Sequence, residues 1–174
     1  MATAEIVLNG DFELGTTDWT FQVDAFEAPG EGIGGSNCAG MKDSPGTEIY
    51  QKGLTVVKGA YYDLTLYAKG VTDSTFRMSV VGLNSGWVVA LVTRVVGSEY
   101  TKYRFNFRTE DDFVLIRVQP VKLLGTLYVD NVSLRGTVLS FKADTRITVR
   151  EDSSGTDVDL EIQKVQGGLY SLFI

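Results

Sequence analysis

Histidine is absent from the chain, and that gap excludes more chemistry than any residue present suggests. Without an imidazole there is no serine-histidine or cysteine-histidine nucleophile, and the commonest zinc ligand is missing. Cysteine occurs once, at Cys38, so no internal disulfide forms and nothing requires an oxidising compartment. Proline is scarce at 3 residues. No apolar run approaches the ~18 residues of a membrane span, so membrane insertion is not expected. The first fifteen residues lack the basic and apolar regions of a Sec signal. Cytosolic synthesis with release by another route is therefore expected, with a leader already removed as the alternative. Basic charge is in deficit too: 16 Lys and Arg against 22 Asp and Glu give a net charge of −6. Such a balance argues against a nucleic-acid partner and suits neutral glycans or cations better.

What is present points to strands. The 174 residues are 44% hydrophobic with 19 glycines, enough for one domain and a small appendage. No stretch has a convincing helical period, whereas period two recurs. In YYDLTLYA, Tyr62, Leu64, Leu66 and Ala68 share one face. Phe76, Met78 and Val80 oppose Arg77 and Ser79 in TFRMSVV. Tyr103, Phe105 and Phe107 oppose Arg104, Asn106 and Arg108, and Val114, Ile116 and Val118 oppose Arg117 and Gln119. Half-buried strands of this kind need a second sheet over their apolar faces, which makes an all-β antiparallel sandwich.

The pattern predicts strands near 5–9, 19–24, 37–42, 47–57, 61–69, 75–83, 87–95, 101–109, 113–121 and 126–135. Turn signals such as Lys69-Gly70, Asn84-Ser85-Gly86 and Glu110-Asp111-Asp112 separate them. Ala25 to Asn37, AFEAPGEGIGGSN, reads as a Gly-rich surface loop, because neither a G-K-[ST] nor a helix follows it. Beyond Gly136, RITVRED, SSGT and DVDLEIQKV read as one more hairpin, followed by the apolar end LYSLFI. About 38 residues are too few for an independent core. They are expected to form a β extension, 136–174, on the domain 1–135, packing within the chain or docking on copies of itself or other proteins. Unless docked, Leu169, Tyr170, Leu172, Phe173 and Ile174 would be an aggregation hazard.

The front of the chain carries a more specific signal. VLNGDFELGTTDW, Val7 to Trp19, resembles the opening of carbohydrate-binding modules of the family 4/9 type, in which N-G-x-F-E-x-G leads to a Trp. IYQKGLTVVKGAYYDLTLYAKG, EYTKYRFNF and LYVDNVSL are similar, in order and spacing, to the family's central pair of strands, a later strand and the closing strand. Tyr100 stands where the family usually has Trp. The resemblance covers residues 5–135 and implies a jelly roll with a structural calcium, its first segment fastened to its last strand. Glu13 and Asp130 match the family's carboxylates, with Asp11 as an auxiliary ligand. Calcium takes 6–8 hard oxygens, so carbonyls of Gly10 and of the irregular region Asn37 to Asp43 would complete the set. Read without the resemblance, the same carboxylates are ordinary turn or cap residues.

For a sugar ligand, flat rings desolvate pyranose C–H faces while Arg, Asn or Gln orient the hydroxyls. If strands 61–69, 75–83, 87–95 and 113–121 share one sheet, their outward faces present Asp63, Thr65, Tyr67, Arg77, Ser79, Arg117 and Gln119 together. Tyr67 and Trp87 would then stack, and Arg77, Arg117 and Gln119 would hydrogen-bond. Trp87 overhangs that surface or belongs to the core, whereas Trp19 packs under the first loop. Catalysis is not expected. Glu110-Asp111-Asp112 reads as a solvated bend, Glu151-Asp152 and Asp157/Asp159 flank an exposed loop, and Cys38 reads as a buried apolar group. Two functions remain: a noncatalytic glycan-binding module carried on a virion or acting outside the cell, or a virion decoration, fibre or tail component using the sandwich only as scaffold.

Overall fold

The computed structural model describes residues 4–137 and, of the remainder, the backbone of four short strands. Ten strands make two antiparallel five-stranded sheets. The first contains β1 (Thr20–Gln22), β4 (Glu48–Thr55), β6 (Thr75–Gly82), β7 (Val88–Val95) and β9 (Phe113–Lys122), in the order β1-β4-β9-β6-β7. The second contains β2 (Ala25–Ala28), β3 (Cys38–Met41), β5 (Tyr61–Lys69), β8 (Thr101–Arg108) and β10 (Leu127–Gly136), in the order β2-β3-β10-β5-β8. Side-chain alternation explains the layering. Phe76, Met78, Val80, Val114, Ile116 and Val118 from one sheet meet Tyr62, Leu64, Leu66, Ala68, Val129 and Leu134 from the other in a single buried cluster. Each fully buried Leu, Ile, Met or Phe contributes about 1.5–3 kcal/mol. The expected all-β sandwich is therefore what forms, consistent with a jelly roll.

Three local expectations are corrected. Residues 5–9 do not form a strand; they make one bridge, Glu5 to Arg135. Ala25–Ala28, assigned from sequence to the Gly-rich loop, forms the edge strand β2 against β3. The strand 61–69 does not join 75–83, 87–95 and 113–121, because β5 lies between β10 and β8 in the opposite sheet. Period two reveals which side of a strand faces the core, and it reads the same in either layer.

The front segment closes the fold against β10, and its motif residues explain how. Asn9, at φ 46°, accepts from the Leu14 N–H and donates to the carbonyls of Gly15 and Thr17, which fixes the loop. Gly10 lies against Val132, where a β-carbon would collide with the carbonyl oxygen, and its own carbonyl accepts from the Val132 N–H at 2.8 Å. Phe12 is fully buried 5.2 Å from the ring of Trp19. Trp19, itself buried as expected, donates its indole N–H to the carbonyls of Leu8 and Asn9. Buried Gln51 pairs with both the N–H and the carbonyl of Leu8. Glu5 adds bonds to Ser133, Leu134 and Arg135.

Residues 138–174 form a separate compact unit. Within it β11 (Thr148–Arg150) pairs with β12 (Asp157–Asp159), the hairpin expected around SSGT, and β13 (Ile162–Val165) pairs with β14 (Leu169–Leu172). Glu151, Asp152, Phe173 and Ile174 lie outside the described residues.

Candidate binding face

The outer face of the first sheet is built in register. One row crosses all five strands: Thr20, Tyr50, Arg117, Ser79 and Leu91 are successive partners from β1 to β7. Toward one end lies a polar row of Gln22 and Glu48, then Gln119, Arg77 and Thr93. Toward the other end Lys52, Leu115, Val81 and Val88 align, an apolar row apart from the lysine. These residues point outward because their neighbours Ile49, Phe76, Met78, Ile116 and Val118 are drawn into the core.

Polar groups on this face form a connected set. The Arg117 guanidinium donates to the Ser79 hydroxyl at 3.2 Å and lies 3.6 Å from the Glu48 carboxylate. Gln119 donates to the same Glu48 oxygen at 3.1 Å, and Gln22 donates to the Tyr50 hydroxyl at 3.4 Å. Arg77 differs. Its Nε is shut off from solvent, and among the described residues it has no hydrogen-bond partner. A phenol ring, an exposed leucine and a line of amide, guanidinium and carboxylate groups together supply an apolar platform with orienting polar groups, the combination that polyhydroxylated ligands need.

Trp87 stands at the rim, next to Val88 of the apolar row, and at 77% exposed it is not core. Its loop is held from below by Asp111. One Asp111 oxygen accepts from the N–H groups of Asn84 and Ser85, the other from the Ser85 hydroxyl at 2.8 Å, and that hydroxyl accepts from the Trp87 N–H. Asp111 is therefore buried rather than part of a solvated bend. Sequence spacing gave no sign of this, because its partners lie 26 and 27 residues away. The Ser85 hydroxyl and the two backbone N–H groups hold its carboxyl below the ordinary range against the opposing effect of burial.

Of the residues expected at a shared site, Arg77, Arg117, Gln119 and Ser79 come together, and Trp87 borders them. Tyr67, Asp63 and Thr65 do not. They belong to β5, where Tyr67 is flanked in register by Asp130 and Lys102, and Asp63 is ion-paired with Arg104. The ring on the open face is instead Tyr50, which the sequence reading passed over together with Glu48, Gln22 and Leu91. The alternation Glu48, Tyr50, Lys52 against Ile49 and Gln51 carried the signal. A polar Gln51 on the inner side disguised it.

Of the carboxylates matched to calcium, Asp130 lies on β10 of the other sheet and Glu13 in the front loop, both beneath the Gly-rich loop. Asp130 accepts from the Ile33 N–H at 2.9 Å, the Ser36 hydroxyl at 3.3 Å and the Asn131 N–H at 2.7 Å. Glu13 accepts from the Asn37 N–H at 2.8 Å. Burial pushes the Asp130 carboxyl above its ordinary value, and the negative charge of Glu13 acts in the same direction. Neither carboxylate pairs with a lysine or arginine among the described residues. A cation would relieve both burdens, so the pair fits one. Nonetheless, no group of three or more acidic, Cys or His side chains gathers among the described residues. Asp11 is turned toward the Glu13 N–H in its own loop, at 3.4 Å. Cys38–Met41 is a regular strand paired on both sides rather than an irregular source of carbonyls. The Gly10 carbonyl is already taken by Val132.

A family model described as a carbohydrate binding domain matches residues 4–120. Solved structures share the fold at low identity. One is a xylan-binding CBM22-1 domain from Paenibacillus barcinonensis Xyn10C, with 15% identity, 78% of this chain and 96% of that one covered, and a TM-score of 0.61. TmCBM61, solved with β-1,4-galactotriose, matches at 13% identity over 78% of this chain and all of its own, with a TM-score of 0.63. The enzymatically active domain of tailspike protein 4 from bacteriophage CBA120 matches at 17% identity and a TM-score of 0.59. That match covers 76% of this chain and 21% of the tailspike domain. No curated protein matches the sequence.

Proposed function

We propose that this chain, which belongs to the carbohydrate binding domain family, is a noncatalytic module that holds glycans on the outer face of β1-β4-β9-β6-β7. The observation that carries the reading is the five-strand row in which Tyr50 and Leu91 flank Arg117 and Ser79. A pyranose ring stacks on Tyr50, and its hydroxyls meet Arg117, Gln119 and Glu48. Trp87 extends the platform at the rim. The test is calorimetric titration of the full chain with neutral oligosaccharides such as xylohexaose and galactotriose, alongside Tyr50→Ala. Saturable binding lost in the variant supports the reading, and no binding to any oligosaccharide class removes it.

Glu13 and Asp130 would hold a structural calcium, with remaining ligands from backbone carbonyls around the Gly-rich loop. The mutual repulsion of two unpaired carboxylates supports this role. Calcium there ties loop to sheet and performs no chemistry. EDTA should lower the melting temperature of the wild type, and Glu13→Ala should mimic it; a chelator-insensitive protein has no such ion.

The module is placed on a virion or outside the cell, a reading supported by the similar sandwich within a phage tailspike domain. A structural role in a particle is the second reading, favoured by the separate C-terminal unit with its two hairpins. Sedimentation of the full chain beside a chain ending at Thr137 distinguishes them. Assembly that needs the C-terminal unit, without any sugar binding, selects the scaffold role.

A further inference from the structure

The charge on the candidate face runs against the charge of the chain. The whole sequence has six more acidic than basic side chains, 22 against 16. On the three outward rows, Lys52, Arg77 and Arg117 stand against Glu48 alone. Glu48 is already engaged by Arg117 and Gln119. Arg77 is left half-buried on β6 between Gln119 and Thr93, neither of which carries charge. No carboxylate of the described residues lies within ion-pairing distance of it. On the opposite sheet Arg104, Arg108 and Arg135 each have an acidic partner, whereas exposed Arg94, on the edge strand β7, donates only to the Thr93 carbonyl.

A guanidinium fork matches a planar carboxylate with two parallel donors, and the pair is strongest where water is partly excluded. From this we infer that the natural ligand is an acidic polysaccharide, one whose chain carries uronic-acid sugars, with the sugar carboxylate received by Arg77. The inference rests on the glycan-binding reading and narrows it. One sugar ring lies on Tyr50 in the central row. Its neighbour along the chain presents its carboxylate to Arg77 in the polar row, where Gln119 and Thr93 meet the adjoining hydroxyls. Overall acidity of the module then works against anionic ligands everywhere except on this face, which favours a single binding orientation.

Hexagalacturonate, its methyl ester and xylohexaose, titrated into the full chain at low and at physiological salt, test the assignment. The free acid should bind about tenfold tighter than its ester, with the advantage shrinking as salt rises. Arg77→Gln should erase the difference between acid and ester, Arg77→Lys should restore part of it, and near-ultraviolet circular dichroism should confirm that both variants are folded. Equal affinity for acid and ester, or for dextran sulfate and hexagalacturonate, overturns the carboxylate assignment. If xylohexaose alone binds, the glycan reading stands and this inference falls. If no sugar binds, both fall.

Discussion

The two sheets share one core but present opposite kinds of outer surface. On β2-β3-β10-β5-β8, most of the outward charges are paired internally, Asp130 being without a cationic partner among the described residues. Arg104 pairs with Asp63, Arg135 with Glu5 and Lys69 with Glu31. The Lys69 ammonium lies 4.9 Å from the Tyr100 ring and 5.1 Å from the Tyr128 ring, and Lys102 covers Tyr67 at 5.7 Å. Ile33 and Ser36 of the Gly-rich loop reach across to Asp130. On β1-β4-β9-β6-β7, the rows run from edge to edge, with Tyr50 half-buried, Leu91 exposed and Arg77 lacking a partner among the described residues. Aromatic and charged residues thus occur on both faces. What marks the candidate binding surface is that, beside its connected polar groups, Arg77 has found no partner among the described residues.

The contrast can be broken or sharpened by substitution. The largest effect should come from Trp19→Ala, which removes the plug beneath the front loop that both sheets share. A loss of about 3–5 kcal/mol in urea unfolding is expected, and it should not discriminate between the faces. Tyr50→Ala should weaken oligosaccharide binding by about 2 kcal/mol, roughly thirtyfold, with the melting temperature nearly unchanged. Tyr67→Ala should behave in the opposite sense. Its affinity for sugar should equal that of the wild type while stability drops by about 1 kcal/mol, and a matching loss of affinity would collapse the distinction between the faces.

The smallest effect concerns pH at the rim. The Asp111 carboxyl is held below its unfolded value, so its contribution to stability is complete above an unfolded pKa of about 3.9 and disappears as pH falls through the lower folded value. Asp111→Asn should flatten this acid limb of a stability–pH curve. It should also loosen the 82–87 loop, visible as a red-shifted or broadened Trp87 emission. An unchanged acid limb would mean that the Ser85 clamp is not formed in solution.

Much of this architecture was legible in the sequence, for local reasons. Burial of alternate residues in β5, β6, β8 and β9 follows from pleat geometry, so the apolar sides could be named correctly. The motif from Asn9 to Trp19 was legible because its interactions are close in sequence. Asn9 meets Leu14, Gly15 and Thr17, and Trp19 meets Leu8 and Asn9. Tyr67 was misplaced and Tyr50 missed for the converse reason. Each lies on the outward side of a regular strand, and what distinguishes them is the identity of the neighbouring strands.

The sequence by itself determined that two layers of strands would form and which side chains would fill the space between them, because hydrophobic period and turn chemistry act over a few residues. It also excluded imidazole chemistry outright. Only the tertiary structure decided that β5 pairs with β10 and β8, that Tyr50, Arg117, Ser79 and Leu91 stand in one row, and that Asp111 and Asp130 clamp loops far from them in sequence. Those pairings are settled by how complete sheets close over one another. Their partners lie tens of residues apart, and a strand's own pattern is the same in either sheet.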